Sequence, residues 1–363
     1  MEKSKREINI EVLRIIAMLM VIGIHCIGHT KILEMNILTP INDFLCRYFK
    51  LLINVANSVF IIITGYYSIN KGLNLKRICN LWGRTIFYSL LIFVIVNILG
   101  FCIDPLSSLL PVLAGNYWFI TAYIVLSFIY PFYNILLRKL DKRKWKTLII
   151  IIFTISIVKF IFSPNGIFEN FTTVILMYTI GGYIKNFVEI NKNKKYLTKY
   201  FLLGFVGAIL GLIIHKLYFS SLDFKSAKPV INNLFFGFQN LVNPFTTVMT
   251  VYLFLKFRTI EVKDKQIQKL ITYISPSLFS VYVIHENINL KVLWVFSGMF
   301  ELIETPFFML YLLLLIILVF FICIIIDLIR RFIYTNIKKI PIINKQVDKI
   351  NVKIESIQQK IGI

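Results

Sequence analysis

The sequence predicts an all-α integral membrane protein, a bundle of about ten transmembrane helices with both termini in the cytoplasm. Composition and the distribution of charge predict this class. Hydrophobic residues make up 58% of the 363 positions and charged residues 16%, whereas a soluble domain has about 25% charged residues. A globule of this length cannot bury so many apolar side chains, because much of its surface must contact water. An ordinary soluble enzyme, a secreted disulfide scaffold and a disordered chain are therefore excluded.

Ten apolar segments are candidates for helices that cross a bilayer, which takes about 20 residues. The fifth and sixth segments are shorter than the others. The predicted spans cover residues 8–29, 48–69, 81–103, 117–137, 148–162, 171–187, 200–219, 234–255, 270–290 and 306–329. No connection between them is long enough to contain a folded soluble domain, so any chemistry must take place within the membrane bundle.

The lysines and arginines alternate between the two sides of this arrangement. If the N-terminus is cytoplasmic, 30 of the 40 cations lie in cytoplasmic segments and eight lie in or beside the outer loops. Arg14 and Arg84 lie inside spans. This bias is what the positive-inside rule predicts. The net charge of +22 therefore indicates orientation and contact with anionic lipid, and no nucleic acid is predicted as a partner because no nucleic-acid-binding motif is present.

The chain is predicted to consist of a membrane domain, residues 1–335, and a cytoplasmic tail, residues 336–363. Apolar residues recur in the tail at spacings of three and four, at Val347, Ile350, Ile354, Ile357 and Ile361. This pattern predicts an amphipathic helix on the cytoplasmic lipid surface, with a short coiled coil as the alternative. The five cysteines have no paired spacing, so they are interpreted as buried thiols, and no metal site is predicted.

The first span carries the most informative polar residues. Arg14 and His25 are eleven positions apart, which is within about 20° of three full helical turns and about 16 Å along the axis. They therefore share one helix face, and His29 extends it. The face joins a permanent cation to a titratable base. The alternative is that Arg14 reaches the cytoplasmic headgroups while both histidines lie at the opposite interface.

Four motifs occur in a fixed order along the predicted spans. They are Arg14-x10-His25, the run Asn57 to Tyr67 that contains Thr64-Gly65, Asn116-Tyr117-Trp118-Phe119 followed by Tyr130-Pro131-Phe132, and Phe279-x-x-Tyr282-x-x-His285. From about residue 5 to residue 335 the chain resembles the type-3 family of integral membrane acyltransferases. Two positions depart from the family pattern: Asn116 replaces a frequent histidine, and the arginine that commonly follows the Ser-Gly run is missing, with Lys71 the nearest cation.

This resemblance implies an O-acyltransferase of a bacterial cell membrane. Its donor substrate would be a cytoplasmic acyl-CoA, most simply acetyl-CoA, and its acceptor a hydroxyl of an extracytoplasmic glycan or lipid-linked sugar. No bound cofactor is expected, and the partners would be acyl-CoA, the sugar acceptor and membrane lipid. Two alternatives from other classes remain, an exporter of polysaccharide or lipid-linked sugar and a non-catalytic membrane sensor.

The topology and the resemblance together divide the candidate site residues into two layers. His25 is expected to be the general base, and Arg14, the second catalytic residue, is expected to anchor the acyl-CoA or orient its thioester; a covalent acyl-histidine relay is the variant. Donor binding is assigned to the cytoplasmic end, with Arg14, Thr64, Gly65, Arg77 and Arg84. Acceptor binding is assigned to the outer end, with His29, Asn116, Tyr117, Trp118, His285 and Glu286. Tyr117 and Trp118 fit an interfacial aromatic belt equally well, and Arg77 fits an ordinary cytoplasmic loop.

Overall fold

The computed structural model describes residues 7–361 apart from 36, 101–104, 113–116, 163–166, 192–193 and 221–243. The described residues contain α-helices and short 3-10 turns and no strand. The helices are α1 (Ile8–Thr30), α2 (Pro40–Ile53), α3 (Ala56–Ser68), α4 (Leu75–Ile98), α5 (Pro105–Leu109), α6 (Trp118–Arg138), α7 (Lys142–Phe162), α8 (Ile167–Phe187), α9 (Tyr196–Ser220), α10 (Pro244–Arg258), α11 (Lys265–Ile274), α12 (Leu278–His285), α13 (Phe308–Ile337) and α14 (Pro341–Ile361). The 3-10 turns are Ser275–Ser277, Lys291–Phe296 and Met299–Leu302.

Six helical stretches among the described residues are long and apolar enough to cross a membrane. They are Ile8–Thr30, Pro40–Ser68, Leu75–Ile98, Trp118–Arg138, Lys265–His285 and Phe308–Ile337. A helix also occurs at each of the ten predicted segments, although the eighth segment is described only from Pro244. The all-helical class with several apolar spans is confirmed. The count of ten spans and the cytoplasmic position of both ends stay predictions.

The second predicted span differs from the observed helices at its start and in its middle. It was expected to begin at residue 48, but α2 begins at Pro40, where the side chain of Thr39 accepts a hydrogen bond from the Asn42 N–H at 3.3 Å. A capping threonine followed by proline is a strong helix start. The helix is then interrupted at Asn54 and Val55, and α3 continues it.

The ninth predicted span is also divided. The stretch Lys265–His285 consists of α11, the 3-10 turn and α12, and Pro276 lies in the turn. Proline has no N–H to donate and its ring disturbs the preceding turn, which accounts for the change in helix type. The helix ends at His285 instead of residue 290, so Glu286 and Asn287 lie in the following turn.

Helix α1 lies at the centre of the bundle, between two buried clusters. Leu13 and Ala17 belong to a cluster formed with α3, α8 and α10. Val21 and Ile22 belong to a second cluster, formed with α12 and α13. Helix α1 packs against neighbours over most of its length, and its polar residues Glu11, Arg14, His25 and His29 are buried or only partly exposed.

Helices α3 and α8 pack with their backbones in contact. A Cβ atom at Gly65 would lie 2.2 Å from the backbone oxygen of Tyr178, and one at Gly181 would lie 2.3 Å from that of Ile62. The two backbones therefore touch, and only glycine permits this approach.

The predicted tail helix is present as α14, and it contacts the start of α4. The Gln358 side chain donates to the Leu73 carbonyl at 2.8 Å and accepts from the Leu75 N–H at 3.1 Å. Lys76 lies 3.6 Å from Glu355. The tail is thus attached to the membrane domain as well as being amphipathic.

Candidate active site

A basic cavity of about 620 Å³ lies among α1, α3, α4, α6 and the stretch Lys265–His285. This volume is within the range of about 300–1,000 Å³ that is usual for small-molecule sites. Four cations line the cavity: Arg14, Lys76, Arg77 and Arg84. Such a concentration of cations in a concave site suits an anionic ligand.

The first of these cations is partly neutralised within its own helix. Arg14 Nη1 lies 2.5 Å from Glu11 Oε1, and Glu11 is buried and also lines the cavity. The pair has the i, i+3 spacing that brings side chains together on a helix. Arg14 is consequently fixed in direction instead of extending to the lipid headgroups.

The other two arginines are held against aromatic rings. Arg77 donates to the Tyr123 hydroxyl, and its guanidinium carbon lies 5.5 Å from that ring centroid. Arg84 lies 4.9 Å from the Phe279 centroid and donates to the Pro276 carbonyl at 3.4 Å. Contacts of this kind orient a guanidinium while leaving some of its donors for a ligand.

Four of the five residues assigned to donor binding line the cavity, and Gly65 does not. Thr64 lines it, although its hydroxyl donates to the Phe60 carbonyl of its own helix at 2.8 Å. Gly65 lies at the contact between α3 and α8, against Tyr178. Its position is explained by helix packing.

Three histidines and a glutamate form a cluster at the far end of α1 from Arg14. His25 Nδ1 lies 2.9 Å from His285 Nε2 and 3.0 Å from Glu286 Oε2. His29 Nε2 lies 2.7 Å from the same glutamate oxygen. His285 and Glu286 are buried. The fold thus brings together His25 of the first predicted span and His285 of the ninth, which are 260 positions apart in the sequence.

The hydrogen bonds in this cluster assign the tautomer of His25. His285 Nδ1 lies 2.6 Å from the Val281 carbonyl, which can only accept. In a neutral His285 ring, Nδ1 therefore carries the hydrogen and Nε2 is an acceptor. His25 Nδ1 then faces two acceptors, this nitrogen and the Glu286 carboxylate, so it must be the donor. The neutral His25 ring keeps its lone pair on Nε2.

The motif Phe279-x-x-Tyr282-x-x-His285 follows one face of α12. Phe279 packs on Arg84 in the cavity, and His285 reaches the histidine cluster at the other end. Tyr282 lies between them: it lines the cavity, and its ring centroid is 6.0 Å from those of His25 and of His285. The spacing of three residues therefore connects the cavity to the cluster.

The motif around Trp118 contributes support more than open binding surface. The Tyr117 hydroxyl is buried; it donates to the Val283 carbonyl at 3.0 Å and accepts from the Asn287 amide at 2.9 Å. It thus holds the end of α12. Trp118 is half-buried beside Phe119. Asn116 lies outside the described residues.

A metal ion is the other chemistry that the cluster could support. The ligand atoms of His25, His29 and Glu286 lie within 4.8 Å of one another, and two histidines with one carboxylate are ordinary ligands of zinc or iron. A metal would need the lone pairs of the histidine nitrogens that face Glu286. The N···O distances of 2.7 and 3.0 Å are hydrogen-bond lengths, which favours protons there.

Four residues that line the cavity had no place in the sequence prediction: Glu11, Lys76, Asn80 and Tyr123. Asn57, Phe279 and Tyr282 also line it, and the sequence named them only as members of motifs, with no role in the site. Glu11 had a readable signal, because an acid three residues before an arginine in a span predicts a pair. Lys76 is indistinguishable in sequence from an ordinary positive-inside residue. Tyr123 is brought to Arg77 by tertiary structure, from a position 46 residues further along the chain.

Comparison with known families agrees with this geometry. The family model described as an acyltransferase domain, of type 3, matches residues 7–328. The match contains both the cavity and the histidine cluster. Comparison with curated proteins and with solved structures finds no match. Since the family model covers most of the chain and its motif residues come together in the fold, the protein belongs to the type-3 family of membrane acyltransferases.

Proposed function

We propose that the protein transfers an acyl group, most simply acetyl, from acyl-CoA to a hydroxyl of an extracytoplasmic or lipid-linked sugar. The observation that carries this proposal is the arrangement of His25. Its Nδ1–H is held by Glu286 and His285, so its Nε2 is the nitrogen that can take a proton. Family membership supports acyl transfer and gives no support to the exporter alternative.

The basic cavity is the proposed donor site. A CoA thioester carries several phosphate charges and ends in a long neutral arm. Arginine binds phosphate oxygens through paired, charge-assisted hydrogen bonds, and Arg14, Arg77 and Arg84 all line the cavity beside Lys76. If the N-terminus is cytoplasmic, these cations lie toward the cytoplasm, where acyl-CoA is made.

The proposed reaction needs no bound cofactor. His25 Nε2 removes the proton of the acceptor hydroxyl, whose own pKa is far too high for attack at neutral pH. The hydroxyl oxygen forms a bond to the thioester carbonyl carbon, the carbon–sulfur bond breaks, and the proton passes from His25 to the departing CoA thiolate. Glu286 stabilises the imidazolium in between, and the products are the acyl ester and CoA. In the relay variant, the acyl group would rest on Nε2 first.

The proposed acceptor side is the end of the bundle that holds His29, His285 and Glu286. His29 is one-quarter exposed while Glu286 is nearly buried, so His29 is the member of the cluster that an incoming sugar reaches most readily. In this proposal the protein is a multi-pass protein of a bacterial cell membrane, and both of its termini are cytoplasmic.

Removal of His25 tests the proposal directly. We expect His25→Ala to lower acyl transfer by at least about 10²-fold, which is the usual contribution of a general base. His215→Ala is the matched control, because His215 belongs to none of the four motifs. Purified proteins in nanodiscs would be assayed for CoA release from acetyl-CoA, and envelope glycans of cells carrying each variant would be analysed by mass spectrometry.

A His25→Ala protein that is inserted normally and still acylates fully would contradict this role. The exporter alternative makes a different prediction for a strain without the gene. Normal amounts of glycan that lack ester groups support the enzyme, whereas loss of surface glycan with no change in its esters supports export.

A further inference from the structure

We propose that the basic cavity contains an oxyanion site on the side nearest His25. The Tyr282 hydroxyl and the first turn of α6 form this site, and it binds the thioester carbonyl oxygen. The inference rests on the proposed acyl transfer. Attack on a thioester places negative charge on this oxygen, and donors fixed around it in advance are a large source of rate.

Tyr282 provides the first donor. Its side chain lines the cavity and is 4% exposed, and its hydroxyl has no hydrogen-bond partner among the described residues. A buried polar group without a partner destabilises a protein, so native structures contain few of them. A hydroxyl that faces a cavity in this state is available to donate to a ligand.

The first turn of α6 provides the second set of donors. Its first intrahelical bond runs from the Thr121 N–H to the Tyr117 carbonyl at 3.0 Å, and no described side chain caps the helix. The amides of Phe119 and Ile120 precede that bond, and both residues line the cavity. A helix N-terminus of this kind favours a negatively charged oxygen.

These two sets of donors converge on one place. The Phe119 and Tyr282 rings are 6.0 Å apart, and the Phe119 backbone amide lies close to the Tyr282 oxygen. An amide N–H can only donate, so it does not use the hydroxyl hydrogen. The hydroxyl hydrogen therefore remains free. A carbonyl oxygen inserted here would accept from both the hydroxyl and the helix amides.

The position relative to His25 and to the arginines fits the same role. The Tyr282 ring lies 6.0 Å from the His25 ring, whereas Arg14 is about 16 Å away from His25 along α1. Phosphates bound near Arg14 and a thioester near Tyr282 therefore match the two ends of an extended CoA molecule.

Tyr282→Phe removes the hydroxyl while keeping the ring. We expect kcat for acetyl transfer to fall about 10²-fold, as with other oxyanion donors, while the KM for acetyl-CoA stays within about twofold. The midpoint of thermal unfolding without substrate should stay the same or rise, because the variant removes a buried hydroxyl that has no partner. A purely structural tyrosine would give the opposite change in stability.

Tyr133→Phe is the matched control. The Tyr133 hydroxyl bonds with the Thr179 hydroxyl at 2.8 Å, away from the cavity lining, so this variant should lose some thermal stability and keep its kcat. Unchanged kcat in Tyr282→Phe would overturn the oxyanion site, and so would a lower kcat accompanied by a lower unfolding midpoint.

The His25→Ala variant separates this inference from the proposed function. If wild-type protein transfers acetyl, His25→Ala is inactive and Tyr282→Phe is fully active, only the oxyanion site is wrong. If purified wild-type protein releases no CoA with any sugar acceptor while the deletion strain keeps its esters, the proposed function itself is wrong.

Discussion

His25 shares its Nδ1 hydrogen between a carboxylate and a second histidine, and each of these has a distinct effect. His285 is buried and is itself fixed by the Val281 carbonyl, so it sets the direction of the His25 ring. In the proposed mechanism, Glu286 carries the negative charge that stabilises an imidazolium at His25. This division resembles the way a buried carboxylate orients and stabilises a catalytic histidine in hydrolases.

Replacing this carboxylate is the sharpest test at the scale of one residue. Glu286→Gln keeps the shape of the side chain but removes the charge. Its amide N–H₂ can donate to His25 Nδ1, which favours the tautomer that carries the hydrogen on Nε2. We expect kcat to fall by about 10²- to 10⁴-fold. CoA release by purified protein measures this. Glu301→Gln, at an exposed position, is the control; equal activity in the two variants would show that the charge is not used.

Only part of this arrangement could be read from the sequence. The spacing of Arg14 and His25 predicts their common face, because helical periodicity is a local property. The choice of Nδ1 as the donor depends on contacts between α1 and α12, which no local pattern encodes. The burial of Glu11 and the free Tyr282 hydroxyl likewise depend on how neighbouring helices pack.

Among the helices, apolar composition located each segment but not its boundaries. The early start of α2 is encoded by Thr39 and Pro40, a capping signal to which a search for apolar residues is blind. The change of helix type at Pro276 has the same explanation. Gly65 illustrates a different difficulty, since a glycine beside a candidate site has the same sequence signal whether it binds ligand or packs against a neighbour.

A substitution at Gly65 tests the packing explanation. The added methyl of Gly65→Ala meets backbone at 2.2 Å, so α3 and α8 must separate, with a loss of about 1–3 kcal/mol or more. In Gly83→Ala the new methyl contacts nothing within 4 Å, and the helix should be stabilised by about 0.5–1 kcal/mol. Unfolding midpoints in detergent measure both changes. A stable Gly65→Ala protein with a raised KM for acyl-CoA would instead support donor binding.

For the molecule as a whole, the tail joins the membrane domain beside the basic cavity. Lys76 both lines the cavity and lies near Glu355 of α14, and Gln358 forms hydrogen bonds with the backbone at the start of α4. The amphipathic pattern predicted the helix, but the position of Gln358 opposite Leu73 and Leu75 is set by tertiary structure.

Loss of the Gln358 contacts should release the tail. The two hydrogen bonds contribute about 1 kcal/mol each, so Gln358→Ala should increase the undocked population by up to roughly thirtyfold. Limited trypsin digestion at Lys353 and Lys360 would report this as faster cleavage. Gln359→Ala, whose side chain is exposed, should digest like wild type; equal rates in both variants would mean that the tail is held by lipid alone.

The position of the Tyr282 ring also bears on the leakage of ions across the membrane. Tyr282 lines the cavity, and its ring lies 6.0 Å from the ring of His25, which is not among the residues that line the cavity. Moving one elementary charge across a membrane at 100 mV involves about 2.3 kcal/mol, so a water-filled path through a bundle of this kind would dissipate the potential of the cell. If acyl transfer takes place as proposed, the buried Tyr282 ring between the arginines and the histidines would close such a path to ions.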